Sequence, residues 1–389
     1  GAIAGVVAGA VVDVLWYMFL TSSTGIYELL PGFIAGTVAA VNNNGIGVAG
    51  VAGGSGNGDG VRIMSIQIFD GDSNSSLAAN AKGIEYAADN GACILQNSWG
   101  YPLREGQTMT DSDYQSGYSV ECTALRYFVS CNGCSAMQGN VAIFAAGNDA
   151  KATADYPGAY NEFIAVTAYA PDGLPTTYTN YNLGCNVAAP GGDFWISGLH
   201  SYEYAYEGSV LSTLPAETID PYNGTVYGTD YGYMQGTSMA CPHVSGIAAL
   251  GLSYALDLGK TFTVDEFKTI LLTSVNEIDS RLTGLRDSPT GDAMNLNNYR
   301  GKMGTGVIDA YRVLMSIRGT TCVAVPLHEG FGLDANKYLG DGKVDLRVVK
   351  NGLIISDEVR EELGIEGDVV YNDKDRTFSI TCTKPGSGI

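Results

Sequence analysis

The sequence predicts an α/β fold: a mostly parallel sheet with helices on both faces, followed by a small β-rich module. Three observations predict it. Apolar runs of strand length, at 61–69, 92–100 and 141–149, alternate with longer helical stretches, the pattern of strands joined by crossover helices. One run, 239–256, is apolar nearly all round, as a central buried helix is. After Gly319 the pattern changes to short alternating strands separated by Gly, Asn and Asp clusters.

Bulk properties narrow the function classes. A chain of 389 residues holds one large α/β domain and a small one. With 45% hydrophobic and 16% charged residues it is globular and not disordered. A net charge of −20 argues against nucleic acid or an anionic membrane as partner, and fits a secreted protein or one that binds cations. The cysteines, at 93, 122, 131, 134, 185, 241, 322 and 382, are too few for a disulfide scaffold in a chain this long. Cys131-Asn-Gly-Cys134 has metal-ligand spacing but no second Cys/His pair nearby, so no zinc site is expected. Cys122 is close enough in sequence for a local disulfide with one of that pair, and Cys241 reads as a packing residue.

Taken in order, residues 1–20 are almost wholly apolar, broken by Asp13, with Gly1, Gly5 and Gly9 spaced by four. They read as a transmembrane helix or as a buried strand or helix of the core. The first basic residue is Arg62, so a signal peptide's basic start and a basic membrane flank are both missing, and a membrane partner is not favoured. Residues 61–69 read as a buried strand, 77–90 as a helix and 92–100 as the next strand. Residues 101–140 form a long insertion with a helix around 121–129. A strand at 141–149 follows, then a short strand at 210–214 and an amphipathic helix at 264–275. The small module is read as strands at 321–326, 343–350 and 376–383.

The most informative stretch is Gly236-Thr-Ser-Met-Ala-Cys-Pro-His-Val-Ser-Gly246. Small residues precede Ser238, a proline follows within the first turn, and a helical pattern continues. That places Ser238 at or just before a helix N-terminus, where free N–H groups and the positive dipole end suit a nucleophile that generates an oxyanion. A lone serine there would read as a helix cap; eleven residues in this order resemble the nucleophile motif of the subtilisin-like serine proteases. The resemblance runs from about 34 to 318 and defines a domain at 34–319, between an unmatched segment 1–33 and the module 320–389. It implies a subtilisin-like fold and a serine endopeptidase that cleaves peptide or protein substrates through an acyl-enzyme on Ser238. Asn148, at the end of Ala-Ala-Gly-Asn148, matches the oxyanion-hole amide. Ser98-Trp99-Gly100 matches the segment that pairs with an extended substrate and walls the main specificity pocket. The resemblance also implies a secreted or cell-envelope location. The loop at 42–48 is similar to a structural calcium loop, although a plain solvated turn reads equally well; no other metal or cofactor is implied.

Two members of the family's triad are missing. The motif His-Gly-Thr-His that should precede 34 reads Leu30-Pro31-Gly32-Phe33, so Leu30 replaces the general base. The three histidines, His200, His243 and His328, all fall elsewhere by motif, and His243 is expected to make a structural hydrogen bond. Asp13 follows Val11-Val12 as a strand-end acid would, but without the Ser/Thr-Gly that should come after it. The expectation is at most vestigial hydrolysis. Either the N-terminal part is truncated or misread, or the chain is a pseudoprotease that binds peptides. A membrane-anchored structural protein is the third reading.

Overall fold

The computed structural model describes residues 15–19, 26–68, 75–104, 106–195, 208–214, 218–219, 226–227, 230–288, 293–319, 331–334, 355, 357–367, 369–372 and 377–385. Asp13, His200, His328, Cys322 and the strands expected at 321–326 and 343–350 lie outside them.

The larger unit, Gly1–Arg318, begins with β1 (Leu15–Phe19), α1 (Ile26–Ala39), β2 (Ile63–Gln67), α2 (Leu77–Asp89) and β3 (Ile94–Asn97). The insertion contributes α3 (Asp111–Gly117), α4 (Ser119–Ser130) and β4 (Met137–Gln138). Next come β5 (Val141–Ala145), β6 (Ile164–Tyr169), β7 (Val187–Pro190), β8 (Val210–Thr213), β9 (Thr218–Ile219), β10 (Val226–Tyr227) and β11 (Tyr231–Met234). The unit closes with α5 (Thr237–Asp257), β12 (Phe262–Thr263), α6 (Val264–Thr273), β13 (Val275–Asn276), β14 (Leu285–Arg286), β15 (Met294–Asn295), β16 (Val307–Ile308) and α7 (Ala310–Arg318).

Eight strands form the main sheet in the order β13-β16-β7-β6-β5-β3-β1-β2, parallel except where β13 meets β16. Every residue of β3 and β5 is buried, so both faces of the sheet are covered there. Helix α5 packs on β3, β5, β6 and β7 and against α1 and α7, while α2 and α4 pack on each other. It is long and apolar enough to cross a membrane, but 78% of its most apolar window is buried, as in a core helix. Its small residues permit that depth: a Cβ added at Gly246 would sit 2.7 Å from Val51 Cβ.

Over 15–19, the part of the 1–20 run that is described, β1 corrects the transmembrane reading. Leu15–Phe19 is a strand between β2 and β3, with Leu15 registered against both Ile63 and Ile94. The run Leu-Trp-Tyr-Met-Phe is rich in aromatic residues that favour a pleated surface, and neighbours on both sides satisfy its backbone groups.

The smaller unit, Gly319–Ile389, contains β17 (Phe331–Asp334), α8 (Asp357–Leu363), β18 (Val370–Asn372) and β19 (Thr377–Ile380). The strands pair antiparallel in the order β17-β19-β18. Helix α8 was not expected from the strand pattern. Its Asp-Glu-Val-Arg-Glu-Glu-Leu sequence is rich in helix formers, and Thr383 and Lys384 satisfy the Leu363 carbonyl at its end.

Candidate active site

Ser238 is the second residue of α5, whose N-cap is Gly236. Gly236 has φ +148°, a conformation that favours glycine, and its N–H donates to Gly191 O at 2.9 Å. The proline is not in the first turn as expected: Pro242 is the sixth residue of the helix. Lacking an N–H, it leaves the Ser238 carbonyl four residues back without a helical partner. Ser98 Oγ donates to that carbonyl at 2.8 Å, and Ser238 Oγ donates to Ser98 O at 3.3 Å. The C-terminal end of β3 is thus tied to the start of α5.

Asn148 follows β5 by way of Ala146 and Gly147. Its Oδ1 accepts from Thr237 N at 2.8 Å and from Thr237 Oγ1 at 2.9 Å, while Gly147 N donates to Thr237 Oγ1 at 3.2 Å. With its oxygen held, the carboxamide presents Nδ2 on the other side, 3.8 Å from where a Cβ on Gly236 would be. Asn148 is exposed and Ser238 half-buried, both at the C-terminal edge of a parallel sheet. A hydroxyl at a helix N-terminus beside an outward amide donor is suited to attack a carbonyl and stabilise the oxyanion that forms.

Of the residues assigned to substrate binding, Ser98 lies against Ser238, and Gly100 continues the same edge. The Trp99 ring instead stands edge-on to Tyr101 and Phe144, at 5.7 Å from each, and its Nε1 donates to Asn97 Oδ1 at 3.2 Å. It is buried in the core, so this edge offers a ligand its backbone and not the indole.

Sequence reasoning missed Asp155. Only 5% exposed, it accepts from Asn180 Nδ2 at 3.3 Å. A Cβ added at Gly100 would lie 3.1 Å from Asp155 Cβ, and one at Gly147 would lie 2.8 Å from its carboxyl carbon. Two glycines that flank the Ser98 and Asn148 edges therefore make room for a buried acid. Burial, with the nearby Asp149 adding to it, pushes the Asp155 pKa up to about 6, against the opposing effects of Lys151 and the Asn180 amide. The available signal was an acid set between Ala154 and Tyr156-Pro157 at the head of an apolar run.

His243 Nδ1 lies 2.8 Å from Met239 O, the structural hydrogen bond anticipated for it, and burial holds its imidazole below the ordinary pKa. Among the described residues, the hydrogen-bond partner of Ser238 Oγ is the Ser98 carbonyl, and no imidazole bonds to it. Leu30 lies in α1. The chain just after it is fixed to β8, where Thr213 Oγ1 donates to Gly32 O at 2.7 Å and Ser212 Oγ to Phe33 O at 2.6 Å.

A model of the subtilase family matches residues 33–302. The extracellular basic protease of Dichelobacter nodosus is 27% identical over 363 residues, covering 88% of this chain and 49% of that protein. Thermitase of Thermoactinomyces vulgaris is 31% identical over 216 residues, covering 56% of this chain and 58% of that protein. The chain therefore spans about half the length of these curated relatives. Among solved structures, the prenylagaramide maturation protease PagA shares the fold, with a TM-score of 0.55 at 18% identity over 82% of this chain and 98% of that one. A family match over residues 33–302, most of the larger unit, means that the chain belongs to the subtilase family of serine endopeptidases.

Proposed function

We propose that this subtilase binds extended peptides along the Ser98–Ser238 edge and, as its sequence stands, hydrolyses them at no more than a vestigial rate. The observation that supports the reading is the contrast between Ser238 and Asn148, linked through Thr237 at one sheet edge, and a leucine where the family motif has its base. In the family's reaction the serine hydroxyl gives its proton to an imidazole as it attacks, and the oxyanion is held by the asparagine amide and backbone N–H groups. Here Ser238 Oγ–H is directed to a carbonyl oxygen, which cannot take a proton at neutral pH. Removing that imidazole from subtilisin itself lowers turnover about a million-fold, and about a thousand-fold acceleration over water survives on the oxyanion hole and binding. Relatives named as extracellular proteases support an extracytoplasmic location.

The test is equilibrium binding of fluorescent extended peptides to the parent protein and to Ser238→Ala. Saturable binding to both, with the parent leaving the peptide intact, supports the reading. No binding to either overturns it. A second reading, that residues 1–32 stand in place of a segment bearing the lost Asp and His, is favoured by the onset of the family match at residue 33. A His-Gly-Thr-His in another frame of the encoding DNA would establish it, and a clean frame without one would dismiss it.

A calcium ion in the 42–48 loop belongs to the same proposal. Asn42 Oδ1 is buried without a hydrogen-bond partner, whereas Asn44 Oδ1 accepts from Ile46 N at 2.9 Å and Asn43 Nδ2 donates to Ser55 O at 3.2 Å. An oxygen donor left over in a loop of backbone carbonyls suits a hard cation. Calcium should raise the thermal midpoint and a chelator lower it; an unmoved midpoint leaves a solvated turn.

A further inference from the structure

The turn between α4 and β5 is clamped onto the chain just before β3. Gly133 N donates to Asn140 Oδ1 at 2.8 Å, and the buried Asn140 donates from Nδ2 to Phe128 O at 3.0 Å and from its N–H to Val129 O at 2.9 Å. Gly139 N donates to Asn132 Oδ1 at 2.7 Å. Gly133 lies flat against Ala92 and Cys93: a Cβ there would sit 2.6 Å from Cys93 N, closer still to Ala92, so only glycine allows this approach. On the other side Val141 N donates to Cys93 O at 3.1 Å. The residue after Gly133 is Cys134, which this close approach sets beside Cys93; both are free thiols. Cys93 is fully buried and Cys134 half-buried.

We propose that Cys93 and Cys134 form a disulfide under oxidising conditions, by exchange with a low-molecular-weight or protein disulfide. The half-buried Cys134 is the attacking thiol. Its contact with Cys93 brings its pKa down to about 7, while the same contact and burial push Cys93 well above the ordinary range. The Cys134 thiolate attacks one sulfur of the donor disulfide, and the first donor thiolate leaves and takes up a proton. Cys93 then loses its proton and attacks Cys134 Sγ in the mixed disulfide, expelling the second donor thiolate. Two cysteine S–H groups become one S–S bond and the donor is reduced to two thiols. The bond closes a loop that contains β3, Ser98 to Gly100, α3 and α4, and so pins the base of the strand whose far end holds Ser238.

Of the two pairings anticipated for Cys122 from the sequence, the one with Cys131 does not fit the helix, and the proposed bond competes with the one to Cys134. Cys122 and Cys131 are nine residues apart along α4 and its cap, a rise of about 13.5 Å, whereas a disulfide spans a Cα separation of roughly 4–7 Å. Cys122 is buried beside Arg126, Tyr160 and Glu162.

The test is non-reducing peptide mapping after incubation with glutathione disulfide, with thermal midpoints measured with and without dithiothreitol. The expected result is a cross-linked peptide pair containing Cys93 and Cys134, a protein lighter by two hydrogen atoms, and a midpoint higher by roughly 3–6 °C than that of the reduced protein. Cys134→Ser should abolish the reductant-sensitive part of the midpoint. Since Cys93 is in the core, the comparison of oxidised with reduced parent carries the conclusion without a substitution there. Alkylation of both thiols after oxidation, or a cross-link through Cys122 or Cys131 instead, would overturn the proposal.

Discussion

Asp155 shows how one buried group reports on the site. Its carboxyl has an ordinary pKa of 3.8 and is pushed up to about 6 in the fold. Between those values the native state holds a proton that the unfolded chain has lost, so stability falls as pH rises from about 4 through 6 and then levels off. Asp155→Asn keeps the shape and removes the charge. It should match the parent near pH 4 and exceed it at pH 7.5 by about 1–3 kcal/mol, read from urea unfolding at both values. A difference that does not change with pH would show that Asp155 stays ionised in the fold. Positions set by neighbours along the chain were legible: Ser238 opens a recognisable helix and Asn148 follows a recognisable strand. Asp155 was not, because its burial depends on Gly100 and Gly147, distant in sequence, both lacking a Cβ beside it. The place of the Trp99 ring was not legible for a related reason: its edge contact with Phe144 is a matter of tertiary packing.

At the scale of elements, the insertion is held by one carboxylate. Glu121 of α4 accepts from Asn80 of α2 at 2.7 Å, from Tyr101 at 2.7 Å and from Tyr114 of α3 at 2.8 Å, and is fully buried. Burial raises its pKa, while these three donors favour the ionised form. Glu121→Ala would strand an amide and two phenol hydroxyls away from water, a loss of about 3–5 kcal/mol. Urea unfolding should register that loss, and a change under 1 kcal/mol would mean that water replaces the carboxylate. The helix carrying Glu121 was visible in the sequence, as were β2, β3 and β5 from their length; β2, expected to be buried, is instead a half-exposed edge strand, because it pairs on one side only. The strand β1 was ambiguous because an apolar run flanked by Gly and Ala satisfies a membrane helix as well as a central strand; only its pairing with β2 and β3 decides. In the small unit, α8 was hidden among Gly, Asn and Asp clusters that read as turns.

The molecule as a whole combines a subtilase sheet, a helix that delivers Ser238 to its C-terminal edge, and a family position at Leu30 that holds no base. On the proposed reading the Ser238 hydroxyl is placed but not activated. A fluorophosphonate tests this directly, because it captures only a serine whose proton has somewhere to go. Intact mass spectrometry of the purified protein after incubation should show no adduct beyond that on Ser238→Ala. Stoichiometric phosphonylation mapped to Ser238 would mean that a base reaches this oxygen, and the claim would fail.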